Sequence, residues 1–438
     1  MVFDWVAFVF DFRNNNSKIR QMKIVLKNAT VVDVNSQYHK QKVDILISEG
    51  IITKIEKYSI FNSDYQVVET TDLHVSQGWF DSSVSFGEPG FEDRETIANG
   101  LEVAAKSGFT AVALQPNSYP IIDNQSQIQF VKQKAKNTAT QLFPIGALTK
   151  NAEGKDIAEL FDMKNSGAIA FGDYNKPISN ANLMKIALQY VQDFDGLLIA
   201  FCEDENIKAS GVVNEGAVAT QLGLKGIANL AEDLQIERNL LLLQYTTGKM
   251  HIPTISTAKS VELIRGAKAQ GLQITCSVAV HNLVFTDSKI QTFDSRFKLT
   301  PPLRTETDRQ ALLAGILDNT IDCITSDHNP IDIEHKKVEF DFAKNGTIGL
   351  ESAFGALLKI LPLDVVIKKL TAAKSIFGVP SSPIEAGNTA NLSLFTTDEN
   401  WIFSKDNILS KSKNSAFLGC EMKGKPVGIV NQNKLVLA

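Results

Sequence analysis

The sequence predicts an α/β protein, a TIM-type (β/α)8 barrel with a small β-sandwich domain formed by the N- and C-terminal segments. Apolar segments of strand type alternate with helix-like segments through the middle of the chain, which predicts βα units and a parallel sheet. β-branched segments with turn residues occupy both ends of the chain. No Gly-rich dinucleotide turn follows the first barrel strand, so the pattern favours a barrel over an open doubly wound sheet.

The two ends of the chain are predicted to pair. From Met22 the segments KIVLKNATVVDV and KVDILISEGIITKIE are β-like, with Gly50 where a hairpin turn is expected. From Ala386 the pattern is β-like again, in NLSLF and PVGIVNQNKLVLA. Since neither end can make a domain alone, residues 22–75 and 386–438 are predicted to form one small β domain beside a barrel of residues 76–385.

The middle of the chain supplies strand candidates for the barrel, separated for the most part by helical segments such as residues 95–107. The candidates are DSSVSF (81–86), FTAVAL (109–114), LFPIGAL (142–148), GAIAFG (167–172), GLLIAF (196–201), NLLLLQY (239–245), GLQITCSVA (271–279) and DCITSD (322–327).

Residues 1–21 differ from the rest of the chain. Their apolar run, VFDWVAFVFDF, is too short to span a bilayer and contains two aspartates, and its basic residues follow the run rather than precede it as in a secretory signal. We therefore expect residues 1–21 to be a disordered extension or one that arises from an upstream start codon, with a partner-binding arm as the alternative.

Composition and charge exclude several classes of protein. The 438 residues carry 44 Lys plus Arg against 49 Asp plus Glu, and no Lys/Arg-rich run is present, so neither nucleic acid nor a membrane is an expected partner. The cysteines are far apart and form no CxxC pair, which argues against a disulfide framework or a cysteine zinc site and favours a reducing cytoplasm. They are Cys202, Cys276, Cys323 and Cys420.

In a barrel of this kind reactive residues follow the carboxyl ends of the strands. Those positions carry DSSVSFGEPG (81–90), GD (172–173), FCED (201–204), HIPT (251–254) and SDHNP (326–330). These positions carry few side chains of the types that enzymes use in catalysis.

A series of motifs along the chain resembles the dihydroorotase family of the amidohydrolase superfamily. The motifs, in order, are GWFD (78–81), EPGF (88–91), GFT (108–110), QPN (115–117), GAIAFGD (167–173), ED (203–204), NEG (214–216), PPLR (301–304), SDH (326–328) and GLE (349–351). The resemblance extends from about Met22 to the C-terminus. It implies a zinc-dependent barrel that reversibly opens the cyclic amide dihydroorotate in pyrimidine biosynthesis.

The chain departs from this family at its metal ligands. The resemblance places the family's metal-binding histidines at Ser83, Ser85, Phe201 and Thr254. It leaves Asp173 at the position of the bridging carboxylate and Asp327 at that of the metal-bound general base. Zinc catalysis needs about three protein ligands and an open position, so we expect no bound cofactor. An alternative is that the two carboxylates hold Mg²⁺ with waters, and another is that they are only hydrogen-bonded framework residues.

The substrate positions also depart from the family pattern. The resemblance places the arginine that grips the substrate carboxylate at Gly87, an asparagine at Thr300 and a histidine at Ile331. Only Asn117 remains of the substrate contacts. Asp327 and Asn117 are thus vestigial catalytic and substrate-binding positions.

Other chemically capable side chains have framework interpretations. His251 lies three residues before Thr254. This odd offset predicts that the His251 side chain points to the opposite face of the strand from that of Thr254. His281 and His328 match family positions outside the direct metal ligands, and Cys202 has no base near it in sequence. The remaining framework candidates are Arg304, Glu215 and Glu351. His39, His74 and His335 are expected to be surface or loop histidines.

Three hypotheses follow. In the first the chain is a non-catalytic homologue that acts as a structural or regulatory partner of aspartate transcarbamoylase, a partner implied by the resemblance alone. In the second it is an active dihydroorotase or other cyclic-amide hydrolase with an atypical site. In the third it is a small-molecule-binding pseudoenzyme whose pocket is lined by Phe201, Phe86 and Ile331. The resemblance also implies a homo-oligomer, commonly a dimer.

Overall fold

The computed structural model describes residues 22–438, and the predicted extension at residues 1–21 lies outside the described residues. The strands are β1 (Lys23–Val31), β2 (Lys42–Ser48), β3 (Ile51–Glu56), β4 (Gln66–Val68), β5 (His74–Gln77), β6 (Trp79–Val84), β7 (Phe109–Leu114), β8 (Gln141–Gly146), β9 (Ala170–Phe171), β10 (Leu198–Ile199), β11 (Val213–Asn214), β12 (Gly226–Ile227), β13 (Met250–Ile252), β14 (Ile274–Ala279), β15 (Cys323–Thr325), β16 (Leu392–Ile402), β17 (Glu421–Asn431) and β18 (Lys434–Leu437).

The helices alternate with the strands through the middle of the chain. They are α1 (Ile97–Lys106), α2 (Gln125–Lys134), α3 (Leu160–Ser166), α4 (Ala181–Tyr190), α5 (Glu205–Lys208), α6 (Ala217–Leu222), α7 (Asn229–Thr246), α8 (Ala258–Ala269), α9 (Val280–Val284), α10 (Glu306–Leu317), α11 (Leu350–Ile360), α12 (Leu363–Thr371) and α13 (Ala373–Ile376).

Both ends of the chain contribute to one sheet. Its strand order is β18-β17-β16-β5-β1-β2-β3, with β4 beside β1. The C-terminal strand β16 runs antiparallel to β5, with Leu392 opposite Gln77. Gln432 and Asn433 have positive φ angles of 51° and 54°, which lets β17 turn directly into β18. The sheet buries apolar side chains from both chain ends, including Ile24 and Leu394.

The second large sheet is parallel and carries the site. Its order along the sheet, β6-β7-β8-β9-β10-β13-β14-β15, follows the chain. A parallel bridge joins Val84 of the first strand to His328, just after the last strand, and Ser85 N–H donates to the His328 carbonyl at 2.7 Å. The first and last strands therefore lie side by side, as in a barrel.

An apolar cluster fills part of the barrel interior. Alternate residues such as Phe80, Ala111 and Ile145 form one apolar cluster with Phe377 and Val379, which follow α13. On the first strand, Asp81 and Ser83 follow Phe80, so polar side chains lie toward its carboxyl end.

The predicted strand at residues 239–245 is wrong. These residues form the second half of α7, and the sixth barrel strand is β13 instead. A short apolar run does not distinguish a strand from a helix. Residues 240–243 are four consecutive leucines, so the spacing of apolar residues in this run gave no helical signal.

Within residues 22–438 we find no helix both long enough and apolar enough to cross a membrane.

Candidate functional site

Hydrogen bonds at the carboxyl end of the barrel bring together several residues predicted from the sequence. Ser83 Oγ donates to Asp327 Oδ1 at 3.1 Å, and Gln115 Nε2 donates to Ser83 Oγ at 3.2 Å. Asn117 Nδ2 donates to Ser85 Oγ at 2.8 Å. Ser83 and Gln115 therefore form a neutral hydrogen-bond network with Asp327, and Ser85 forms a separate pair with Asn117.

Asp81 holds the first and last strands in register beneath this network. Its carboxylate accepts hydrogen bonds from Ser83 N–H at 3.0 Å, from Ser326 N–H at 2.9 Å and from the Thr325 hydroxyl. Because Asp81 is buried and its acceptors are occupied, it fixes the position of Asp327 but is not free to bind a ligand.

Asp327 is buried, and its surroundings shift its ionisation toward neutral pH. Burial raises the pKa of Asp327 to about 7, and the negative charge of Asp81 acts in the same direction, while the hydrogen bond from Ser83 lowers it. This carboxyl can therefore gain or lose a proton near neutrality.

Asp173 has different neighbours. It accepts hydrogen bonds from Thr149 N–H at 3.0 Å and from the Thr149 hydroxyl. Burial raises its pKa, against these hydrogen bonds and the positive charge of Lys176. The charge that acts on Asp327 comes from Asp81 and not from Asp173. The two carboxylates are thus held by separate networks.

Tyr174 is the neighbour of Asp327 that sequence reasoning missed. Burial, and then the negative charge of Asp327, raises the pKa of Tyr174 well above its usual value. Its hydroxyl has no hydrogen-bond partner in the described part of the chain, and its φ is 57°. Strand alternation could not reveal this neighbour, because β9 ends at Phe171 and the positive φ changes the course of the chain three residues later.

A pocket of about 250 Å³ opens beside the network. Asn117, Ile121, Asp173, Tyr174 and Lys176 are among its lining residues, and the surface that the lining presents to the pocket is almost entirely apolar. Asn117 Oδ1, like the Tyr174 hydroxyl, is buried without a partner among residues 22–438.

The predicted pocket residues Phe201, Phe86 and Ile331 do not line this pocket. They are part of the buried interior instead. Phe86 packs edge-on against His328 with ring centroids 6.0 Å apart, and Ile331 is fixed by a 3.1 Å hydrogen bond from its N–H to Asn414 Oδ1. Phe201 is 4% exposed, so it fills space at the position that the resemblance assigns to a metal ligand.

Gly87 lies where a side chain has no room. A Cβ atom at this position would lie 1.8 Å from the carbonyl oxygen of Phe91, whose N–H donates to the Gly87 carbonyl at 2.7 Å. The loop conformation therefore requires glycine, and an arginine here would need a different loop.

At another position that the resemblance assigns to substrate binding, Thr300 Oγ1 accepts a hydrogen bond from Asn345 Nδ2.

His251 points into the barrel, contrary to the expectation from its offset. Its Nδ1 contacts Thr275 Oγ1 at 2.9 Å and its Nε2 contacts Ser277 Oγ at 3.1 Å, and its ring packs against Phe377. Strand alternation does not extend to Thr254, because β13 ends at Ile252 and Thr254 has a φ of 48°. Burial lowers the pKa of His251 to about 3, so this ring is neutral.

Buried charged and thiol groups elsewhere have structural partners. Arg304 donates to Ser256 Oγ at 3.0 Å and to Asn214 Oδ1 at 3.1 Å, and Glu232 accepts from Ser256 N–H at 2.7 Å. Burial raises the pKa of Cys202 to about 12, so its thiol is not a nucleophile at neutral pH.

The donor set does not fit zinc. No group of three or more His, Cys, Asp or Glu side chains among residues 22–438 is arranged to hold a metal ion. The Ser83 hydroxyl beside Asp327 and the Gln115 amide bonded to it are neutral and weak ligands for zinc, and the oxygens of the nearby Asp81 carboxylate are already occupied by hydrogen bonds. These residues therefore support no catalytic step through zinc.

Comparisons with known proteins place the chain in a family. The family model described as "Dihydro-orotase-like" matches residues 74–260. The dihydroorotase of Pelotomaculum thermopropionicum is 38% identical over 423 residues, covering 95% of this chain and 99% of that protein. The dihydroorotase of a Thermoanaerobacter species is 40% identical, covering 92% and 94%.

Solved structures show the same fold. The L-hydantoinase (dihydropyrimidinase) of Arthrobacter aurescens superposes with a TM-score of 0.82 at 20% identity, covering 94% of this chain and 96% of that one. The barrel with its companion sheet is therefore the fold of an amidohydrolase. Within that class, the chain belongs to the dihydroorotase family.

Proposed function

We propose that this chain is a non-catalytic member of the dihydroorotase family that acts as a structural or regulatory subunit. The observation that carries the proposal is the neutral network at Asp327, in which Ser83 donates to the carboxylate and Gln115 donates to Ser83. Hydrolysis of a cyclic amide in this family requires a water activated by zinc, and neutral hydroxyl groups are too weak as ligands to hold that metal.

The absence of a charged substrate clamp supports the same proposal. An anionic substrate is held in place by charge-assisted hydrogen bonds, which contribute about 1.5 to 3 kcal/mol each. Gly87 has no side chain, and a Cβ added there would collide with the Phe91 carbonyl. A substrate carboxylate would therefore lack a cationic partner at this position.

The proposed partner is aspartate transcarbamoylase, and the support for it is the family resemblance. A chain that keeps the fold without its catalytic groups can still present surfaces to a neighbouring enzyme of the pathway. In this proposal the barrel serves as a scaffold, and the residues that replace the metal ligands keep its interior filled.

The test is to purify the full-length chain with added Zn²⁺, Co²⁺ or Mn²⁺ and to measure dihydroorotate hydrolysis, metal content and association with the transcarbamoylase of the same organism. We expect no turnover, metal well below one ion per chain and a stable complex. Turnover that disappears in Asp327→Asn would overturn the proposal of inactivity. A lack of any complex would overturn only the partner.

An active dihydroorotase is the second candidate. Two observations favour it: the relatives carry that name, and the pKa of Asp327, about 7, is suited to a general base. The decisive comparison is the wild type against Asp327→Asn in a strain that lacks dihydroorotase. Growth that depends on Asp327 identifies the active candidate.

A further inference from the structure

A lysine-lined pocket lies at the amino end of the barrel. It has a volume of about 320 Å³ and lies where the segment after α2 and the start of β8 meet the turn between β17 and β18. Lys132, Lys136 and Lys434 line it, and no Asp or Glu among residues 22–438 does. The chain as a whole carries a net charge of -5, so this local excess of positive charge is opposite in sign to the overall charge.

Folding brings these charges together from distant parts of the chain. Lys132 belongs to the last turn of α2, Lys136 follows that helix, and Lys434 begins β18. A favourable interaction with the helix dipole explains a lysine at the end of α2, but it does not explain Lys434, which comes from the companion sheet. Lys134, also on α2, does not line the pocket and pairs with Glu88 at 2.7 Å instead. The pocket therefore collects lysines that have no carboxylate among its lining residues.

The ammonium groups of the pocket keep hydrogen-bond donors for a ligand. Lys132 Nζ donates to the Ser166 carbonyl at 2.9 Å, and Lys434 Nζ donates to the Asn137 carbonyl. An ammonium group has three N–H donors, so each of these two retains two. A backbone carbonyl carries no net charge, so the bonds hold the lysines without neutralising them. Like charges that line one small pocket repel one another, and a bound anion would offset this repulsion.

The walls of the pocket are fixed across the boundary between the barrel and the companion sheet. Asn431 Nδ2, just before the β17–β18 turn, donates to the Ala139 carbonyl at 2.9 Å. On the barrel side, Thr138 Oγ1 donates to the Ala135 carbonyl at 2.7 Å. The turn that carries Lys434 and the turn after α2 are thus both held in place. A preformed pocket of this kind loses little conformational freedom when a ligand binds.

We propose that this pocket binds a phosphate group, either free phosphate or the phosphate ester of a small molecule. Lysine binds phosphate as a point charge, whereas carboxylates are better matched by the planar fork of arginine, and no arginine of the described chain lines the pocket. Ligand pockets have volumes of about 300 to 1,000 Å³, so this one suits a small molecule. Phe143 adds apolar surface for the organic part of an ester.

The pocket is separate from the network at Asp327. The segment between α2 and β8 lies at the amino ends of the barrel strands, whereas Asp327 follows the carboxyl end of β15. A bound phosphate would connect the barrel to the companion sheet, so it should raise the temperature of unfolding. This proposal does not depend on whether the chain hydrolyses a substrate.

The test is calorimetric titration of the full-length chain with inorganic phosphate, ribose 5-phosphate and ribose, at an ionic strength of about 0.15 M so that weak surface attraction is screened. We expect one phosphate site per chain with a Kd below about 1 mM, and no binding of ribose. Affinity for inorganic phosphate at least equal to that for ribose 5-phosphate identifies free phosphate as the ligand. Tighter binding of ribose 5-phosphate identifies an ester.

Lys136→Gln and Lys434→Gln should each weaken phosphate binding at least about fivefold, because each removes a charge-assisted hydrogen bond. Lys134→Gln is the matched control, since it removes the same charge from α2 but not from the pocket, and it should bind like the wild type. Circular dichroism checks that all three variants are folded.

Two results would overturn the proposal. One is a folded wild type that binds neither inorganic phosphate nor ribose 5-phosphate at millimolar concentration. The other is binding that Lys136→Gln and Lys434→Gln leave unchanged, or that Lys134→Gln weakens as much as they do, because the attraction would then not come from this pocket.

Discussion

Ser83 Oγ and Asp327 Oδ1 lie 3.1 Å apart, and this hydrogen bond joins the carboxyl ends of the first and last barrel strands. A hydroxyl can donate to a carboxylate and can also accept from a protonated carboxyl, so Ser83 accommodates Asp327 in both states. The arrangement suits a carboxyl whose charge changes near neutral pH.

The first prediction concerns restoring nitrogen ligands. Ser83→His with Ser85→His should give weak zinc binding, because the new imidazoles would lie beside Asp327 and Asn117. Turnover should remain absent. Calorimetric zinc titration checks the binding, with Ser83→Ala and Ser85→Ala together as the matched control. A folded double histidine variant that binds no zinc at micromolar concentration would show that these strand ends do not converge on one centre.

The second prediction concerns Gly87. Gly87→Ala should destabilise the protein by about 1 to 3 kcal/mol, the usual effect of overpacking, because the added Cβ collides with the Phe91 carbonyl. Gly87→Arg should do the same or worse. The fivefold variant that adds Gly87→Arg, Phe201→His and Thr254→His to the two serine replacements should therefore fail to regain activity. Urea unfolding of Gly87→Ala tests the cause, and an unchanged midpoint would contradict it.

The third prediction is a pH dependence of stability. The pKa of Asp327 is raised to about 7 in the folded state, so the folded state binds more protons than the unfolded state between about pH 4 and pH 7. The contribution of Asp327 is most favourable below about pH 4 and is lost as the pH rises through about 7. The Asp327→Asn variant has no carboxyl to ionise at this position, so its stability relative to the wild type should increase between about pH 4 and about pH 7, by at most about 4 kcal/mol. Urea unfolding at several pH values measures it, and a constant difference would be the contrary result.

The fourth prediction compares a buried ion pair with an exposed one. Arg304 Nη2 and Glu232 Oε2 are 3.7 Å apart, and both side chains are almost fully buried. Arg304→Ala should cost about 3 to 5 kcal/mol, because it leaves Glu232 buried without its cation. Arg265→Ala, which breaks the exposed pair with Asp318, should cost less than about 1 kcal/mol. Similar losses for the two variants would refute this explanation.

The fifth prediction concerns the unpartnered hydroxyl of Tyr174. Tyr174→Phe removes a buried polar group that has no partner among residues 22–438, so the free energy of unfolding should be unchanged or higher by up to about 1 kcal/mol. Thermal unfolding checks it. A clear loss of stability would mean that the hydroxyl is bonded in solution.

Prediction from the sequence was most accurate where an apolar run has the same bounds as a strand of the structure. FTAVAL was predicted as a strand at the bounds of β7, and the family resemblance was confirmed by the relatives. The run at residues 239–245 failed because the second half of α7 is apolar on its outer face as well as its inner face.

Side-chain direction beyond the strands could not be predicted. Asp173 and Thr254 follow short strands. The positive φ values at Tyr174 and Thr254 change the direction of the backbone, and so of the side chains that follow. The neighbourhood of Asp327 therefore includes Tyr174, although the sequence pointed to Asp173. Likewise, the crowding at Gly87 depends on the path of the loop to Phe91, which could not be predicted from the sequence.

The sheet formed by both chain ends can be completed only late in synthesis, because it includes C-terminal strands. β5 lies between β1 and β16, so it cannot gain its second neighbour until the ribosome has made residues 392–402. Until then β5 has an open edge, and an open edge is a template for pairing with other chains. A chain that stops short of β16 would keep that edge, so nascent or truncated molecules should be the form most prone to aggregation.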